Sequence, residues 1–231
     1  MDPPPEHPGS TSSRLRARPA EDLTACALPA GCTALGLTER RDGLLHVPVA
    51  ATSRPSPLVV LLHGAGSSAS AALILLADLT EAHGLILLVP DSRASSWAFL
   101  RGGYGPDVQF IDRALAHAFE HCPVDAARIG IVGFSDGASY ALSLGIANGD
   151  LFTHLIAFAP GFAAPPAHVG QPRILVAHGT RDRVLPIDRC SRRVVPVLRA
   201  DGYDVVYEEF DGGHSVPPDL ARRAVAWVMG G

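Results

Sequence analysis

Short apolar runs alternate with amphipathic segments along most of this chain, and that alternation sets the expected architecture. Leu58–Leu62 reads Leu-Val-Val-Leu-Leu and ends at His63-Gly64-Ala65-Gly66. A continuous apolar run closed by a glycine-rich turn suits a strand covered on both faces. Leu85–Val89 and Ile129–Phe134 have the same character, and Leu155–Phe158 and Ile174–Ala177 are shorter versions of it. Leu44–Val49 and the alternating Asp204–Phe210 complete the expected strands. Helices are expected over Ser70–Ala82, from near Pro106 to about His121, and over Ser135–Ala147, Arg189–Ala200 and Asp219–Met229. Pro106 and Asp107 are good start signals, Gly84 and Gly202 act as stops, and Pro196 should kink its helix. Repeated strand–helix alternation implies an α/β fold: a mostly parallel sheet with helices on both faces. Such sheets carry their functional loops at the carboxyl ends of the strands.

Residues 1–22, rich in Pro, Ser and Arg without periodicity, read as a flexible N-terminal tail, and 23–231 as a single domain. In 231 residues all 19 basic side chains are arginine. The absence of lysine excludes a pyridoxal Schiff base, a P-loop lysine and a Tyr/Lys reductase pair. A net charge of −4 gives no footprint for nucleic acid, and Arg14, Arg16 and Arg18 read as a solvated cluster in the tail. Cys26, Cys32, Cys122 and Cys190 form no C-x-x-C pair; Cys26 and Cys32 are close enough in sequence to bridge, but four reduced thiols are the expectation. No secretory leader and no apolar run of transmembrane length is visible, so a cytoplasmic protein is expected.

The chemistry is carried by Gly133-Phe134-Ser135-Asp136-Gly137, a G-x-S-x-G pattern between an apolar strand and a helix. In that context the serine occupies a strained turn and its oxygen projects at a helix N-terminus, where developing negative charge is favoured. A serine hydroxyl needs a base, and the base needs an orienting carboxylate. Later strand-end loops offer both in order: Asp182 in His178-Gly179-Thr180-Arg181-Asp182, and His214 in Asp211-Gly212-Gly213-His214. Asp188, Glu209 and Asp211 are the rival acids. His154, His168 and His178 are the rival bases, with His178 assigned the bland task of tying its loop together. Oxyanion donors are expected at the backbone N–H of Asp136 and of Ala65.

Two other patterns were weighed. Gly64-Ala65-Gly66-Ser67-Ser68-Ala69 fits a dinucleotide fingerprint, with Asp91 about twenty residues on, but it leaves Ser135, Asp182 and His214 unexplained. His117 and His121 stand four apart without the H-E-x-x-H order, which favours an exposed helix face over a metal site.

Taken together, Leu62-His63-Gly64-Ala65-Gly66, Gly133-Phe134-Ser135-Asp136-Gly137-Ala138, His178-Gly179-Thr180-Arg181-Asp182-Arg183-Val184-Leu185-Pro186 and Gly213-His214-Ser215 resemble the phospholipase/carboxylesterase family of α/β-hydrolases. The resemblance spans roughly residues 55–230 and implies an α/β-hydrolase fold with a serine hydrolase activity that uses no metal or organic cofactor. It implies cleavage of carboxylic esters, short acyl esters first, with lysophospholipids or acyl thioesters as alternatives. Asp136 departs from the pattern, since many members carry glutamine there. Only about fifteen residues separate Phe158 from Ile174, too few for a large cap, so an open site is expected. Trp97, Phe99, Tyr104, Phe162, Val184 and Leu185 are candidate substrate contacts. The sequence is compatible with a homodimer, with acyl transfer to an acceptor other than water, and with an inactive binding module on the same fold.

Overall fold

The computed structural model describes residues 13–20, 22–98 and 105–230. Among these, eight strands form one sheet in the order β1-β2-β4-β3-β5-β6-β7-β8. They are β1 (Gly31–Ala34), β2 (Gly43–Val47), β3 (Ser56–Leu62), β4 (Ile86–Pro90), β5 (Val124–Phe134), β6 (His154–Phe158), β7 (Arg173–Gly179) and β8 (Val205–Phe210). β1–β2 and β2–β4 pair antiparallel, and every other neighbouring pair is parallel.

The apolar runs explain the layering directly. Side chains alternate across a strand, so Leu58, Val60 and Leu62 enter one core while Val59 and Leu61 enter the other. In β4, Ile86 and Leu88 face the first core, and Leu87 and Val89 the second. The first core is closed by α3 (Gly105–His121), α4 (Asp136–Ile146) and α5 (Ser191–Ala200). The second is closed by α1 (Ala69–Leu73), α2 (Ala77–His83) and α6 (Pro218–Val228).

Three differences from the sequence reading have physical causes. The helix expected over Ser70–Ala82 is two, because tight turn bonds from Leu75 N–H to Ala72 O (2.9 Å) and Leu76 N–H to Leu73 O (3.1 Å) break it. The break buries Leu76 and leaves Ile74 79% exposed. β1, a short and mostly exposed edge strand, carries no apolar alternation by which to find it. Part of the expected tail is docked. Leu15 is 2% exposed, its N–H bonded to Asn148 Oδ1 at 2.8 Å, and the Arg16 and Ala17 N–H groups donate to Asp112 Oδ1. Arg14 and Arg18 both pair with Asp150, at 2.7 and 2.6 Å, so these arginines hold 13–20 to the domain rather than serving only as solvated charge.

The expectation of four reduced thiols is also corrected. Cys26 is disulfide-bonded to Cys122, 96 residues away, while Cys32 and Cys190 are free. Sequence proximity favoured Cys26 with Cys32, but the fold brings Cys26 to the end of α3, where Ala27 N–H also donates to His121 O at 2.7 Å.

Candidate active site

Ser135 sits between the last residue of β5 and the first of α4, at φ 58° and ψ −118°. A side-chain-bearing residue is strained in that region, and such strain persists only where the surroundings enforce it. The flanking glycines show the enforcement. A Cβ on Gly133 would collide with the Gly137 carbonyl, and one on Gly137 with the carbonyls of Leu62 and His63. The Ser135 N–H is fixed by a 2.9 Å bond to Phe158 O on β6.

The loops after β7 and β8 meet at this turn. His214 Nε2 lies 2.8 Å from Ser135 Oγ, and His214 Nδ1 lies 2.6 Å from Asp182 Oδ2. Asp182 is buried, and its Oδ1 accepts the N–H groups of Val184 and Leu185, both at 2.8 Å. Burial pushes the Asp182 carboxyl up. The hydrogen bonds from His214, Leu185 and Val184 outweigh it and hold the group below the usual carboxylate range. The Phe134 ring packs 4.8 Å from the His214 ring and limits its tilt.

Behind Asp182 stands a fully buried histidine whose task the sequence only sketched. His178 Nε2 faces two acceptors, Leu185 O at 2.8 Å and Asp182 Oδ2 at 3.2 Å, so it carries the proton. Its Nδ1 then accepts from Ser191 Oγ at 2.6 Å. Burial pushes His178 down, keeping the ring neutral. Ser191, at the start of α5, escaped the sequence reading because a serine there looks like an ordinary helix-start residue.

The loop after β3 crosses close to Ser135: a Cβ on Gly64 would lie 3.5 Å from Ser135 Cβ. Gly66 N–H donates to Ser95 O and Ser67 N–H to Gly64 O, at 2.6 and 3.2 Å. Among the described residues, the N–H groups of Ala65 and Asp136 have no partner in the chain. Both groups are thus free to donate to a bound ligand.

The expected substrate contacts divide. Trp97 is 1% exposed, its Nε1 donates to His63 O at 2.8 Å, and its ring stacks on Tyr140. It supports the loop after β3. Phe99 and Tyr104 lie outside the described residues. Val184 is exposed beside Asp182, and Leu185 packs 3.6 Å from the position of a Gly161 side chain. Phe162 and Gly161 line a cavity of about 260 Å³ against α5. The connection from 159 to 172 holds no helix, so no cap covers the site from there.

The rival residues have structural tasks. Asp188 and Glu209 pair with Arg192, and Asp211 with Arg181. His154 stands edge-on to Trp227, and His168 contacts Tyr203. Asp91, the ribose partner in the dinucleotide alternative, instead accepts Ala69 N–H at 2.6 Å at the start of α1.

No family model matches the sequence. A solved structure of esterase PE8 superposes with a TM-score of 0.68 at 24% identity, covering 81% of this chain and 97% of that one. The chain has the α/β-hydrolase fold. The same α/β-hydrolase fold is shared by FphF of Staphylococcus aureus, a fluorophosphonate-binding serine hydrolase solved with substrate bound (TM-score 0.69, 16% identity, 87% and 98% coverage). It is shared too by a phospholipase/carboxylesterase of Dyadobacter fermentans DSM 18053 (TM-score 0.61, 19% identity, 88% and 99% coverage). In sequence, the chain is 30% identical over 193 residues to "Putative esterase NocK" of Nocardia uniformis subsp. tsuyamanensis. The match takes in 75% of this chain and 53% of NocK, so it spans about half the length of that relative.

Proposed function

We propose that this chain is a carboxylic ester hydrolase acting through Ser135, His214 and Asp182. The observation that carries the reading is the unbroken hydrogen-bond chain from Ser135 Oγ through the His214 ring to the buried Asp182 carboxylate. His214 takes the Ser135 proton as the oxygen attacks the ester carbonyl. The Ala65 and Asp136 N–H groups hold the oxyanion, and Asp182 stabilises the imidazolium. His214 then passes the proton to the departing alcohol, and water hydrolyses the acyl-enzyme. The esterase names of PE8 and NocK support this chemistry. The uncapped connection after β6 supports short acyl esters over long enclosed chains.

Turnover of p-nitrophenyl acetate and butyrate by the wild-type chain, abolished in a folded Ser135→Ala variant, tests the reading. A variant that kept wild-type turnover would sink it. Labelling of Ser135 by a fluorophosphonate separates an active hydrolase from an inactive module. A series of esters, thioesters and lysophospholipids of increasing chain length ranks the substrate alternatives. Among the described residues no helix is long and apolar enough to cross a membrane. The Cys26–Cys122 bond suits an oxidising compartment better than the cytoplasm expected from the sequence.

A further inference from the structure

The two oxyanion donors of the proposed mechanism belong to different segments. Ala65 rides on the loop after β3, and Asp136 opens α4. Donors must stand about 2.7–3.1 Å from the developing oxyanion, so their separation has to be held within a few tenths of an ångström. The third segment that touches both is 92–98. It grips the loop after β3 at three points: Ser92 N–H to His63 Nε2 at 3.0 Å, Gly66 N–H to Ser95 O at 2.6 Å, and Trp97 Nε1 to His63 O at 2.8 Å. Between the last two, the Ser96 hydroxyl donates to Asp136 Oδ2.

We propose that the Asp136 carboxylate and the Ser96 hydroxyl form a clamp that sets the spacing of the two oxyanion donors, which makes both side chains positioning residues for acyl transfer. The inference rests on the hydrolase reading above and assigns a task to the side chain of Asp136, the position that departs from the family pattern. Three features support it. The segment cannot drift as a whole, because Asp107 on α3 accepts the Arg93 and Ala98 N–H groups, both at 2.6 Å. The Trp97 ring lies between His63 of the loop and Tyr140 of α4, with centroids 4.9 and 5.3 Å away. The carboxylate is turned toward the 92–98 segment and makes no helix cap, and Ser135, at the N-cap, caps nothing with its side chain. Burial pushes the Asp136 carboxyl up while the Trp97 N–H offsets part of that, as befits a carboxyl built into a contact. Engaging the carboxylate with the Ser96 hydroxyl also draws its negative charge away from the oxyanion beside it.

The test uses Ser96, which touches no substrate in this scheme. Ser96→Ala should lower kcat by about tenfold or more, since losing one oxyanion donor outright costs about 10²–10³. KM should stay within about threefold, because the ground-state ester does not need the donors in register. Inhibition by a trifluoromethyl ketone, which mimics the tetrahedral state, should weaken in step with kcat/KM. Ser96→Thr keeps the hydroxyl and should recover most of kcat, and Asp136→Ala should reproduce the Ser96→Ala loss. An unchanged kcat, a loss confined to KM, or a loss that threonine does not rescue would each overturn the clamp. Hydrogen exchange gives a readout independent of turnover. In Ser96→Ala the amides of residues 63–67 should exchange faster while β6 and β7 keep wild-type rates; unchanged exchange at 63–67 overturns the clamp. A wild-type chain that cleaves no ester, yet loosens at 63–67 on Ser96→Ala, would refute the hydrolase reading and leave the clamp standing.

Discussion

Asp182 has every lone pair in use: two backbone N–H groups on Oδ1, and His214 with His178 on Oδ2. That saturation holds the acid ionised and fixes the tautomer in which His214 presents a bare Nε2 to Ser135. Asp182→Asn keeps the shape but replaces an acceptor with a donor facing His214 Nδ1. The expected outcome is a fall in kcat of about 10³–10⁴-fold with little change in melting temperature, measured on p-nitrophenyl acetate and by thermal scan. One step further back, Ser191→Ala strands the buried Nδ1 of His178. An unsatisfied buried acceptor costs roughly 1–3 kcal/mol, which urea denaturation should read as a lower midpoint at constant m-value. The meeting of Ser135, Asp182 and His214 was legible in the sequence because each follows a strand within a recognisable motif. Ser191 and Ser96 were not, because a serine's partner across the fold leaves no local pattern.

At the scale of elements, α4 does two jobs. Its N-terminus carries Ser135 at the N-cap, and its buried serines hold the connection that leaves the site open. Gly161 N–H donates to Ser139 Oγ at 2.9 Å, and Ala164 N–H to Ser143 Oγ at 3.0 Å. The four-residue spacing places both hydroxyls on one helical face. Ser143→Ala removes the hydroxyl to which the Ala164 N–H donates, and a loss of about 0.5–1.5 kcal/mol in urea denaturation is expected. The start of α4 tolerates still less. Gly137→Ala drives a methyl into the Leu62 and His63 carbonyls. The variant should lose both ester turnover and several degrees of melting temperature, since backbone atoms on either side cannot yield.

For the whole molecule, acid and reductant are the informative stresses. Burial pushes His63, His154 and His178 below the ordinary histidine range. The unfolded chain therefore binds protons that the folded chain refuses as pH falls through about 6.5. Stability should be complete at and above about pH 7.5 and decline as pH falls from there through about 6.5 and below, and His154→Gln should flatten the decline measured by urea midpoint. The raised carboxyls of Asp107 and Asp136 act in the opposite sense, but from the lower carboxylate range upward. The Cys26–Cys122 bond ties the N-terminal segment to the end of α3 across 96 residues. Its reduction, or Cys122→Ser, should lower unfolding free energy by roughly 2–4 kcal/mol, with the wild type approaching the variant in dithiothreitol.

The sequence by itself determined the doubly covered parallel sheet, because continuous apolar strands have nowhere else to bury both faces. It also determined the order Ser135, Asp182, His214 and the glycines that make the strained turn possible. Tertiary structure alone decided everything that depends on side chains from distant segments meeting. It joined Cys26 to Cys122 rather than to nearby Cys32, docked 13–20 through Asp112 and Asp150, and packed Trp97 between His63 and Tyr140 beneath the loop after β3. The reason is range: periodicity and motifs report on neighbours within a turn or a strand, whereas a buried polar group is satisfied by whichever partner the completed packing brings to it.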